Sequence, residues 1–86
     1  MKFQGAVIKE QGVTFAIVIV KKTVVDNATS ARKAIMSFQP IFSNIPIVLM
    51  AQDSRGTPTY YGRKDIVGFL ANIPLSVIPW KEYASH

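Results

Sequence analysis

The stretch Val13–Val20 (VTFAIVIV) is apolar on both sides of a strand. Successive strand side chains point to opposite faces. Phe15, Ile17 and Ile19 therefore share one face, and Ala16, Val18 and Val20 share the other. A strand with one wet face alternates apolar with polar, so this one is predicted to be covered above and below. Ile47–Ala51 (IVLMA) has the same character and reads as a second interior strand. A chain with such strands must supply a cover for each face of its sheet, or borrow one.

The remaining elements follow from local chemistry. Strands are predicted over about 3–9, 13–25, 47–51, 57–61 and 75–80, and helices over about 28–42 and 63–72. Glu10-Gln11-Gly12 reads as the turn of a β-hairpin, and the β-branched run after it favours strand. Asp26 and Asn27 end that strand and are both good helix N-caps. Ala31, Ile35, Phe38 and Phe42 then recur at helical spacing, with an end or kink expected near Gln39 because of Pro40. Asn44-Ile45-Pro46 is a helix stop in which Asn tolerates the left-handed conformation. Asp53–Gly56 is a turn, and Pro58 suits the start or the edge of the strand that follows. Ile66, Val67, Leu70 and Ile73 mark the second helix, and Asn72-Ile73-Pro74 repeats the stop. Pro79 suggests an edge for the last strand, and the tail from Lys81 is expected to fray.

The order ββαββαβ predicts one α+β domain over residues 1–86, with two helices on a mixed five-stranded sheet. Arg32–Phe38 and Asn44–Ile47 resemble Arg63–Phe69 and Asn72–Leu75, which suggests a duplicated strand–helix–strand unit. Two arrangements fit. In the favoured one each helix crosses between neighbouring parallel strands, and the Asp53–Gly56 reversal sends the helices to opposite faces. The alternative is ferredoxin-like, with both helices on one face and an extra N-terminal strand. Its bare apolar face would call for a homodimer.

Composition excludes several chemistries. There is no Cys, which removes disulfides, thiol catalysis and Cys-ligated zinc, and the single His is the last residue. No glycine-rich phosphate loop, serine elbow or paired metal-ligand motif is present. The most apolar run is far shorter than the roughly 20 residues of a membrane span. Lys21 and Lys22 stand where a signal peptide would place small residues, so a cytoplasmic setting is expected. Charged residues are 17% of the chain, and ten Lys and Arg against five Asp and Glu leave +5. The predicted role is a non-catalytic protein-interaction or self-associating module without a cofactor. A second reading is nucleic-acid binding by Lys21, Lys22, Arg32, Lys33, Arg55, Arg63 and Lys64, with Tyr60 to stack on bases. A remote third is Mg²⁺-dependent phosphate chemistry at Asp26 and Asp53, beyond the carboxyl ends of neighbouring strands.

Overall fold

A computed structural model describes residues 2–10 and 12–84. Its elements are β1 (Lys2–Glu10), β2 (Val13–Ile19), α1 (Lys22–Val25), α2 (Ala28–Phe38), β3 (Ile47–Gln52), β4 (Pro58–Tyr61), α3 (Lys64–Leu70), a 3₁₀ turn (Leu75–Val77) and β5 (Lys81–Ala84). The strands form one mixed sheet in the order β4-β3-β2-β1-β5. Only β2 and β3 are parallel neighbours, and the other three pairings are antiparallel.

Both faces of the middle strands are buried, and the chain supplies both covers. On the first face Ala16, Val18, Leu49 and Ala51 lie under Val25, Ala31, Phe38 and Phe42. On the second face Phe15, Ile17, Val48 and Met50 lie under Ile66, Leu70 and Ile78. The helices thus sit on opposite faces, and the ferredoxin-like alternative does not hold. The homodimer tied to a bare face loses that basis. The exposed large apolar residues, Val7 at 41%, Met36 at 73% and Val77 at 65%, sit on three separate elements.

Several elements end where tertiary packing overrides propensity. The strand expected to reach Val25 stops at Ile19, and Lys22–Val25 forms a helical turn. In register, the neighbouring strands end level with Lys21, β3 at Gln52 and β1 at Lys2, so Lys22–Val25 has no strand to pair with. Val20 N–H donates to Met50 O at 2.8 Å, and the next apolar residues, Val24 and Val25, pack into the first core instead. At the other end of α2 the helix stops at Phe38, Gln39 Nε2 donates to Phe42 O and Ile45 O, and Asn44 takes φ 65°.

The last strand is displaced. Leu75–Val77 is a 3₁₀ turn, and the strand is Lys81–Ala84, within the tail expected to fray. Pro74 and Pro79 have no N–H to give a ladder. Trp80 Nε1–H folds back onto Leu75 O at 3.1 Å. Only beyond Trp80 is the chain free to pair, and it takes the open side of β1, with Phe3 opposite Tyr83. The segment after β4 therefore departs from the one after β2. α2 links neighbouring parallel strands, whereas α3 and the turn link the two opposite edges of the sheet. No helix among the described residues is long and apolar enough to cross a membrane.

Candidate functional site

The sheet places the basic residues in separate groups. β2 and β3 are parallel, so Lys21 and Lys22 after β2 share one end of the sheet with Arg55 in the turn after β3. β4 runs back, so Arg63 and Lys64 follow it at the other end. Arg32 and Lys33 are exposed on α2, over the first face. Two of these cations are already paired: Lys22 Nζ lies 2.7 Å from Asp26 Oδ1, and Arg63 Nη2 lies 2.6 Å from Asp65 Oδ2. Seven residues that read as a possible basic surface are divided between two ends and a helix flank. Tyr60 is not presented for stacking on a base. It packs against the second core, and its hydroxyl is buried without a partner. Burial raises its pKa accordingly.

Asp53 directly follows β3, but Asp26 does not follow β2 directly: it caps the end of α1, and each carboxylate is committed locally. Asp26 accepts from Lys22. Asp53 Oδ1 accepts from Arg55 N–H at 2.8 Å and Thr57 N–H at 2.9 Å, the work of an ordinary turn residue. Among the described residues no three His, Asp or Glu side chains come together as a metal-ligand group.

A cavity of about 140 Å³ opens on the second face, lined by Glu10, Val13, Phe15, Asp65, Ile66 and Phe69. Sequence reasoning missed it, because Glu10 and Asp65 are far apart in the chain and only the packing of α3 on β2 unites them. Organic ligand pockets run to roughly 300–1,000 Å³, so this one suits waters or a small ion rather than a substrate. Arg63 already neutralises Asp65, donating to it through Nε at 2.8 Å as well as Nη2, and holds its carboxyl down at about 2.

The least satisfied feature is made of main chain. The Asp53–Thr57 hairpin is closed by Asp53 N–H donating to Thr57 O at 3.0 Å, with Gly56 at φ +81° bonded back to Asp53 O. Hydrogen-bonded and non-bonded pairs alternate along an antiparallel ladder. Counting from that closure, Thr59 and Tyr61 bond inward to Ala51 and Leu49, while the main chain of Pro58 and Tyr60 faces outward. Pro58 therefore sits where its missing N–H costs no ladder bond. Tyr60 N–H and the carbonyls of Pro58 and Tyr60 have no partner among the described residues. β4 carries no charged side chain, whereas the opposite edge strand, β5, is guarded by Lys81 and Glu82. The position of Pro58 was the one sequence signal for this edge.

Compared with protein-family models, curated proteins and solved structures, the chain matches none.

Proposed function

We propose that this chain is a non-catalytic protein-interaction module that accepts an extended segment along β4. The single observation behind this reading is the unpaired outer edge of β4: the free N–H and C=O of Tyr60 and the free C=O of Pro58. Such groups are a template for strand addition, in which main-chain bonds supply affinity and flanking side chains supply choice. The dispersal of the ionisable residues agrees with a role that needs no catalytic cluster. A second copy of the chain is one strand donor that this edge can take.

Selection of displayed random peptides on the immobilised protein, alongside sedimentation equilibrium, tests the reading. The expected result is enrichment of peptides, or a concentration-dependent dimer, that slows hydrogen exchange at the Tyr60 amide. No enriched peptide together with a pure monomer up to about 1 mM, a concentration at which even a binding energy near −4 kcal/mol is detected, overturns it. So does binding that leaves the Tyr60 amide unprotected.

A further inference from the structure

Resting on the β4 reading, we infer that the segment this edge takes is acidic. The strand itself is uncharged, so its selectivity must come from what stands at its ends. Arg55 lies in the turn before it, and Arg63 and Lys64 follow it; all are exposed. Arg55 and Lys64 have no acidic partner among the described residues. The two carboxylates in the segments that flank β4 are occupied. Asp53 accepts two N–H groups of its own turn, and Asp65 is held by Arg63 through two bonds. Lys21 adds a further exposed cation at the Arg55 end.

The spacing fits an extended partner. Thr57 to Gly62 is about 17 Å at the usual rise of about 3.3 Å per residue. A segment of four or five extended residues thus bonds to Tyr60 and Pro58 and brings a carboxylate at each end to Arg55 and to Lys64. The same cations disfavour a second copy, because antiparallel edge-to-edge pairing would bring Arg55 of one chain towards Lys64 of the other. A nucleic acid satisfies the cations but offers no strand main chain for Tyr60.

The probe is a peptide of alternating Thr and Val with a pair of Glu at each end, titrated into the whole protein at low salt. Tyr60 amide exchange and chemical shift are followed throughout. Binding is expected to slow Tyr60 exchange about tenfold or more and to weaken as salt rises through about 0.1 M. It is expected to fall about tenfold in the Arg55→Glu, Lys64→Glu double variant, whose folding the exposed positions leave intact. N-methylation of alternate peptide residues should abolish binding in one phase and spare it in the other. Four results overturn the inference: equal binding of the Lys-flanked peptide, equal loss from both N-methyl phases, tighter binding of a uridine oligonucleotide, or no Tyr60 response. If neutral or basic peptides from the random selection protect Tyr60 instead, the acidic preference fails while strand acceptance at β4 stands.

Discussion

Arg63 and Asp65 form a two-point ion pair across the start of α3, with Nε to Oδ1 at 2.8 Å and Nη2 to Oδ2 at 2.6 Å. The residues are only two apart, so the chain holds the guanidinium fork against the carboxylate without help from the core. The hydrogen bonds favour the charged form and bring the Asp65 carboxyl down to about 2.

The sign of the pH effect follows. A carboxyl whose pKa is lower in the folded chain adds stability above its unfolded pKa, near 4. That contribution fades as pH falls from about 4 towards 2. A carbon-detected titration of the Asp65 carboxyl should show a midpoint near 2. In Arg63→Gln the midpoint should rise towards the ordinary Asp value; an unmoved midpoint rules the pairing out in solution.

Tyr60→Phe is expected to leave stability unchanged or raise it, by up to about 1 kcal/mol. The phenol is buried with no hydrogen-bond partner, so removing it discards a desolvation cost and little else. Urea unfolding measures this, and a loss above about 1 kcal/mol would mean that the hydroxyl has a partner after all.

Gly5→Ala should destabilise by about 1–3 kcal/mol. A Cβ at Gly5 would stand 2.8 Å from the Ile17 carbonyl oxygen and 3.5 Å from the Tyr83 ring. The oxygen belongs to a neighbouring strand and cannot step aside. Gly68→Ala, where a Cβ meets nothing within 4 Å, is the contrast and should gain about 0.5–1 kcal/mol from helix propensity. Melting temperatures of the pair decide the matter, since equal shifts would contradict the close approach at Gly5.

Asn27→Ala should cost about 1 kcal/mol, because its side chain accepts from Ser30 N–H at 3.1 Å and caps α2. Asp26→Ala should cost only a few tenths, the worth of an exposed i,i+4 pair with Lys22. Reversal of that order in chemical denaturation would move the cap to Asp26.

Leu49→Ala and Ile17→Ala should each cost about 2–5 kcal/mol. They empty opposite cores, as Leu49 faces the first and Ile17 the second. A cost below about 1 kcal/mol at either position would show that its face is not packed.

Much of this architecture was legible in particular residues. The two-sided run from Phe15 to Val20 foretold a cover on each face, and Asp53–Gly56 foretold the reversal between β3 and β4. The crossover expected for the second helix, between neighbouring parallel strands, does not form: α3 leads from β4 to β5 at the far edge, so its place on the second face was not decided by that reversal. Asn44 takes the left-handed conformation expected of it. Val24 and Val25 were misread because β-branched residues favour a strand only while a neighbouring strand is there to pair with. The second Asn-x-Pro stop also differs in mechanism: Asn72 caps through Nδ2 donating to Gly68 O at 3.2 Å, not through a positive φ. The candidate interaction edge was hardly legible. Side-chain pattern reports which face a residue takes, whereas the edge is defined by which main-chain groups lack a neighbour.

Taken alone, the order of residues determined what must be hidden. Periodicity and turn chemistry are local, and they set the interior strands, the hairpins and the apolar stripes of the helices. Where the tail would pair was decided only in three dimensions. β5 joins β1 and leaves β4 as the uncharged open edge, because strand partnership depends on which edges the rest of the sheet leaves free, and no local pattern reports that. The grouping of Arg55, Arg63 and Lys64 about that edge has the same origin, for the return of β4 along β3 separates Arg55 from the other two by the length of a strand.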